Sequence, residues 1–400
     1  MSESSSPVDF DVCVVLPAGG HGARTGVSTP KQFWSVLDKP LIVYTAQEFN
    51  RIPWVQKIIV CVAKEYVESF EDLICQYHLD KVEVTVAGFS RHQSIFNGIK
   101  KVSLVWKDPD IVLVHDAVRP LINESIIQQV AVAAKKYGAA GIVNPLTSNI
   151  ISVNSDSFPS EFLDRNLYHA SEMPQGFKFD FLKKSYEMCA NEDIEHGTEC
   201  LHLVQKYTNI NAFLIEGPPL WKVTFRKDYF AAEGCLKEKY LKVGLVNIPN
   251  SSLVSALKYH LEEHHIKICI LNTIEEQCSQ LTSVVLGQTI VNLDGILNTI
   301  EELTEMWTGE PRRIVQGGLI IFLIYVSKKI TFSKTLNQLQ KYSRSLTEKF
   351  QGNISPIFIL TKDMKNTERI VKLIKSLLWE MSDTYMGQLL QRPPDYDDLP

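Results

Sequence analysis

The chain has 400 residues, with 41 lysines and arginines against 46 aspartates and glutamates, a net charge of −5. That balance speaks against a general nucleic-acid binder, which would carry a basic surface. Hydrophobic content of 45% and charged content of 22% suit a globular chain long enough for two or three domains.

The longest apolar run, Leu319 to Val326, falls far short of the roughly 20 residues of a membrane span. Residues 1–9 are polar, read as disordered, and show no cationic or apolar targeting region. Eight cysteines are scattered without a Cys-x-x-Cys pair. We read them as reduced thiols of a cytosolic protein.

The first strand expected is Val12–Leu16, an apolar run that breaks into a loop containing Gly19, Gly20 and Gly22. Without Cβ atoms, such a loop lets backbone N–H groups approach a ligand closely and form a concavity for anions. Arg24 and Lys31 follow seven residues apart, with Thr29-Pro30 before the lysine. A polyphosphate suits this arrangement, with N–H groups for its oxygens and cations for charge that develops during transfer. The alternative is a strand-to-helix turn with a solvated Arg and Lys. The segment lacks the third glycine of a dinucleotide fingerprint and the closing Gly-Lys-Ser/Thr of a Walker loop.

Further strands are expected at Lys57–Val62, Val82–Val86, Ile111–Val114 and Ala140–Val143, and helices at Leu41–Arg51, Lys64–Gln76, His92–Val102 and Glu124–Tyr137. The alternation predicts a parallel sheet with helices on both faces, and ligands beyond the carboxyl ends of the strands. After Val86 comes Gly88-Phe89-Ser90-Arg91-His92-Gln93-Ser94, which reads either as a second ligand loop or as a glycine turn with a capping serine. After Val114 comes His115-Asp116-Ala117-Val118-Arg119-Pro120. Asp116 is the candidate magnesium ligand, because magnesium takes carboxylate oxygen together with substrate phosphate. The alternative is an Asp116–Arg119 ion pair, and His115 reads as structural. Residues 146–168 form an extended arm without a covering helix, and Phe225–Lys237 closes this part as a helix.

Five motifs in order carry a family resemblance over about residues 10 to 238. They are the glycine loop with Pro30-Lys31-Gln32, Gly88–Ser94, Val114–Pro120, Asp164-Arg165 with Pro174-Gln175, and Trp221-Lys222-Val223-Thr224. The chain resembles the 2-C-methyl-D-erythritol 4-phosphate cytidylyltransferase family. That resemblance implies a Rossmann-like nucleotidyltransferase (GT-A-like) α/β sheet with a β-arm. It implies that Ala18, Gly19, Gly20, Gly88, Ser94, Asp116 and Arg119 hold CTP, with Asp116 at the metal. Arg24 and Lys31 would act on the phosphates during transfer, and Arg165 and Lys222 would grip the acceptor phosphate. Asn149 and Thr198 fall at acceptor positions. The arm, about 146–168, resembles the family's dimerisation arm, which would carry Arg165 into the neighbouring subunit's site.

Departures fall mainly at the acceptor. The family's Arg-Asp-Thr on the arm reads Thr147-Ser148-Asn149 here; on the nucleotide side Phe89 stands where an acidic residue is usual, and the base is still expected to be read largely by backbone, so that CTP stays preferred. Those changes point to CTP with a different polyol phosphate. From Leu241 the strand–helix pattern restarts. Strands are expected at Lys242–Val246, Ile266–Leu271, Ser283–Val291, Leu319–Val326 and Ile354–Leu360, and helices at Leu253–Glu263, Asp294–Trp307, Lys334–Phe350 and Thr367–Met381. This is a second, smaller Rossmann-like α/β domain over 241–390, following the cytidylyltransferase domain at 10–240 and ending in a disordered tail at 391–400. Its first loop has no glycine, which disfavours a nucleotide there. This layout resembles the family's animal branch, which makes CDP-ribitol for dystroglycan glycosylation, so D-ribitol 5-phosphate is the acceptor expected. Methylerythritol phosphate is the alternative acceptor; a catalytically inactive scaffold and an NAD-dependent reductase are the alternative functions.

Overall fold

The computed structural model describes residues 8–20, 29–37, 39–197, 199–218, 220–248, 250–263, 266–272, 283–289, 318–325, 341, 354–361, 367–380 and 389–391. Arg24, Thr198, the first seven residues and the tail from 392 lie outside these, as does the helix expected at Asp294–Trp307 and, Lys341 apart, that at Lys334–Phe350. The chain divides into two compact units, Met1–Phe230 and Ala231–Pro400, so the division falls inside a helix, Arg226–Tyr240.

The first unit follows the expected alternation. In chain order it runs β1 (Val12–Ala18), α1 (Leu41–Asn50), β2 (Val55–Val62), α2 (Val67–Gln76), β3 (Val82–Val86), α3 (Arg91–Val105), β4 (Ile111–Val114), α4 (Glu124–Tyr137) and β5 (Ala139–Pro145). Next come β6 (Ile150–Val153), β7 (Pro159–Leu163), β8 (His169–Lys178), α5 (Phe179–Met188), α6 (Asn191–His196), α7 (Cys200–Thr208), β9 (Phe213–Glu216) and α8 (Arg226–Tyr240). Seven strands form one sheet in the order β9-β5-β8-β4-β1-β2-β3.

β1 is central because its apolar residues are buried on both faces. Val12, Val14 and Leu16 pack with α1 and α4, and Cys13 and Val15 pack with α3, α5 and α7. Helix boundaries have local causes. The Asn123 side chain accepts from Ser125 N at 3.0 Å to start α4, and Gly138, at φ 98°, ends it. Gly98 lets α3 lie against β1, since a Cβ there would stand 2.5 Å from Val15 Cγ1.

One feature departs from the sequence reading. The sheet is not wholly parallel, because β8 runs antiparallel between β4 and β5. The segment around Pro174 carries few apolar residues and a proline, which locally speak against a central strand. A bulge accommodates it: Glu172 faces Ile142 and Gln175 faces Gly141, leaving Met173 and Pro174 without opposite residues. The arm is a separate two-stranded hairpin, β6 against β7.

The second unit holds β10 (Lys242–Val246), α9 (Ser251–Glu262), β11 (Lys267–Leu271), β12 (Ser283–Thr289), β13 (Gly318–Tyr325), β14 (Ile354–Thr361), α10 (Thr367–Glu380) and β15 (Leu389–Gln391). Its sheet is parallel in the order β11-β10-β12-β13-β14-β15. That order, with the first strand beside the second and third, is the flavodoxin type of doubly wound sheet and not the classic Rossmann order. Leu253, Leu257 and Leu261 of α9 and Ile370, Ile374 and Leu378 of α10 cover Val243, Leu245 and Ile321. Among the described residues no helix is long and apolar enough to cross a membrane.

Candidate functional site

In the first unit the chain moves outward from β1 through β2 to β3, then returns to the other side of β1 as β4. Such a reversal opens a crevice beyond the carboxyl ends of the strands. A cavity of about 340 Å³ lies there, lined by Ala18, Gly19, Gly20, Lys31, Gly88, Phe89, Arg91, Ser94, Asp116, Lys222 and Thr224, among others.

The glycine loop is held from beneath. Gln32 Nε2 donates to the carbonyls of Ala18 at 2.6 Å and Gly20 at 3.0 Å. A Cβ on Gly19 would stand 2.3 Å from Ala87 Cβ, whereas one on Gly20 would meet nothing within 4 Å among the described residues. Gly19 is therefore required by the close approach of the β1 and β3 loops. Overpacking of this kind costs about 1–3 kcal/mol, which in a unit of this size lowers the melting temperature by about 3–10 °C. Gly19→Ala is expected to show that loss in a thermal melt and Gly20→Ala to melt near wild type; equal melting of the two would contradict this reading.

The second loop takes the form of a glycine turn with a capping serine. The Gly88 N–H is not open to a ligand, because it donates to Ser94 Oγ at 3.0 Å, and the Phe89 N–H donates to Gln93 Oε1 at 2.8 Å. Ser90 caps α3 by accepting from Gln93 N at 3.0 Å. The loop is thus a rigid shelf, with a fully exposed Phe89 ring on the rim of the cavity.

Asp116 is the electrostatic centre. Its Oδ2 receives Lys222 Nζ at 2.9 Å and Arg119 Nε at 3.1 Å, and its Oδ1 receives Arg91 Nη2 at 3.4 Å. Burial alone would push this carboxyl up, but Lys222, Arg91 and Arg119 outweigh it and hold it well below the ordinary carboxylate range. His115 is fully buried, and burial lowers it to about 4, so it stays a neutral support with Nε2 3.2 Å from the Arg119 carbonyl. Lys31 Nζ donates to the Val223 carbonyl at 2.9 Å, and Val223 N donates to the Val118 carbonyl at 3.0 Å. The segment 220–224 is therefore drawn over the site from about a hundred residues away. Asp228 fixes its far end by accepting from Thr224 N and Phe225 N, each at 2.7 Å.

Among the residues expected to act, Ala18, Gly19, Gly20, Lys31, Gly88, Ser94, Asp116 and Lys222 meet at the cavity. Arg119 does not line it. It is 7% exposed and bonded to Asp116, Glu172 and the Leu220 carbonyl. Arg165 lies on the arm, where it donates to the Thr147 carbonyl at 2.9 Å, and neither it nor Asn149 lines the cavity of its own chain. Sequence reasoning missed Arg91. The signal was present in the second motif, where Arg91 and Ser94 fall three residues apart and so share the face of the first helical turn. Among the described residues no three His, Cys, Asp or Glu side chains gather to hold a metal. With Lys31, Arg91 and Lys222 against the one carboxylate of Asp116, the lining carries excess positive charge and suits a polyanion.

Residues 12–238 match the family described as IspD, 2-C-methyl-D-erythritol 4-phosphate cytidylyltransferase. The chain is 43% identical to the D-ribitol-5-phosphate cytidylyltransferase of Mus musculus over 281 residues, 69% of this chain and 61% of the mouse protein. It is 33% identical to that of Homo sapiens over 410 residues, 95% of this chain and 89% of the human protein. It is 30% identical to the 2-C-methyl-D-erythritol 4-phosphate cytidylyltransferase of Clostridium acetobutylicum over 233 residues, 58% of this chain and 99% of that protein. The match thus spans less than two thirds of the mouse relative's length and most of the human relative's.

Proposed function

Since the chain belongs to the 2-C-methyl-D-erythritol 4-phosphate cytidylyltransferase family, we propose that it transfers CMP from CTP to D-ribitol 5-phosphate, releasing CDP-ribitol and pyrophosphate. The observation that carries this reading is the meeting of Lys31, Arg91, Asp116 and Lys222 at the glycine loop. The names of the animal relatives supply the acceptor. An oxygen of the acceptor phosphate attacks the α-phosphorus of CTP, a new P–O bond forms, and the bond to pyrophosphate breaks. The nucleophile is already an anion, so no general base is needed. The work is to bring two anions together and neutralise them. Lys31 faces the nucleotide phosphates and Lys222 the acceptor phosphate, and Arg91 braces Asp116 between them.

A magnesium ion fits this site as a companion of the triphosphate. Asp116 is the carboxylate it would meet, and with three cations already around Asp116 the phosphate oxygens would supply most other ligands. When bound, it would neutralise charge on the leaving pyrophosphate.

The arm suits a homodimer. Ile151, Val153, Phe162 and Leu167 are exposed on it, and an apolar stretch of that kind marks a contact surface. A second copy would cover it and bring the partner subunit's Arg165 to the acceptor phosphate.

The test is a competition with both acceptors at equal concentration and CTP in excess, with the CDP-polyols weighed by mass spectrometry. CDP-ribitol is expected to exceed CDP-methylerythritol at least about tenfold, since a site that hydrogen-bonds hydroxyls rejects an analogue that lacks them. Equal or greater use of methylerythritol phosphate would overturn the acceptor and leave the cytidylyltransferase reading intact. Failure to consume CTP with either acceptor would favour a scaffold.

A further inference from the structure

The bulge in β8 lies just past the carboxyl end of β4. Gln175 pairs with Val114, and the strands are antiparallel. Residues before Gln175 therefore run beyond Val114, toward Asp116 and Arg119. The ladder to β5 skips Met173 and Pro174. Bulges beside active sites re-aim neighbouring side chains, and the residue bordering this one is Glu172.

Glu172 Oε2 accepts from Arg119 Nη1, and the same Nη1 donates to the Leu220 carbonyl. Arg119 Nε donates to Asp116 Oδ2 at 3.1 Å. Lys222, two residues beyond Leu220, reaches that same oxygen at 2.9 Å. One guanidinium thus braces three segments: the end of β4, the β8 bulge and the 220–224 segment. A planar fork with five donors can do this, and a lysine cannot. Without Glu172 the guanidinium keeps Asp116 but loses the contact that aims Nη1 between β8 and the 220–224 segment, and with it the grip on Leu220.

We propose that Glu172 is a positioning residue for the acceptor half of the site, holding the 220–224 segment and the Lys222 ammonium in place through Arg119. The proposal rests on Lys222 as the grip on the acceptor phosphate. Glu172 has no place among the cavity-lining residues, so it acts on substrate only through this chain of contacts.

Two readouts on the full-length protein test it. Hydrogen exchange in Glu172→Ala is expected to be about tenfold faster across 220–225, where Val223 N, Thr224 N and Phe225 N are now bonded. In steady-state kinetics the KM for ribitol 5-phosphate is expected to rise about tenfold and the KM for CTP to change by less than about twofold. Glu172→Gln keeps a carbonyl oxygen toward Arg119 and is expected to recover most of both effects, with a KM within about threefold of wild type. If Glu172→Ala does not fold, Glu172→Leu, which fills the same space without an oxygen for Arg119, carries the test with the same expected exchange and acceptor KM changes. Unchanged exchange across 220–225, or KM values for CTP and acceptor that rise together, would overturn the proposal. If the wild-type protein makes no CDP-ribitol, the proposed function falls by itself, and the exchange result still decides whether Glu172 holds the 220–224 segment.

Discussion

Lys31→Ala is expected to lower turnover by about 10²–10³ while changing the affinity for CTP far less, because loss of one group that opposes developing charge costs that much. Lys31 lines the cavity beside the glycine loop, and its ammonium is steadied by the Val223 carbonyl at 2.9 Å. The attacking oxygen and the α-phosphate each carry negative charge, and more collects on the bridging oxygen as pyrophosphate departs. A cation fixed there gains most of its interaction in the transition state, so its removal should appear in kcat and not in KM. The measurement is single-turnover CDP-ribitol formation at saturating substrates, with circular dichroism to confirm that the variant is folded. Turnover within about threefold of wild type in a folded variant would remove Lys31 from the mechanism.

The second large effect concerns the arm. Arg165→Ala and Lys31→Ala homodimers are each expected to be down by about 10²–10³, yet a mixture of the two should regain roughly a quarter of wild-type activity. The reason is geometric. Arg165 lies on a hairpin outside its own chain's cavity, whereas Lys31 lies inside it. If the arm of one subunit completes the site of the other, a mixed dimer pairs an intact Lys31 with an intact Arg165 at one of its two sites. Random exchange makes half the dimers mixed, and half of their sites whole. The check is activity against time after mixing equal amounts, beside light scattering of each parent. Activity that stays at the parental level, or a monomer at every concentration, would refute the shared site.

The sequence was most informative where structure is decided locally. The buried run Val12–Leu16, the turn at Gly19-Gly20 and the cap and stop residues of α4 each depend on a handful of neighbours. Apolar period, missing Cβ atoms and side-chain caps are all readable there. Val82–Val86, Ile111–Val114 and Glu124–Tyr137 form over the expected residues. The chemical character of Lys31, Asp116 and Lys222 could likewise be read from residue type at the ends of strands.

What the tertiary structure alone decided is which distant residues meet. β8 has a weak apolar pattern and a proline, so no local rule puts it between β4 and β5. Only the pairing of Gln175 with both Val114 and Gly141 does so, with a bulge to absorb Pro174. That insertion brings Glu172 to Arg119 and turns a residue expected to bind nucleotide into a brace behind Asp116. Arg91, Asp116 and Lys222 come from three segments spread over more than a hundred residues. The attraction of Arg91 and Lys222 for Asp116, which keeps a buried carboxyl charged, exists only once strand order has placed both within about 4 Å of it. Sequence periodicity carries the fate of each segment and none of these distances, because strand order is set by the packing of whole layers and not by any one stretch of chain.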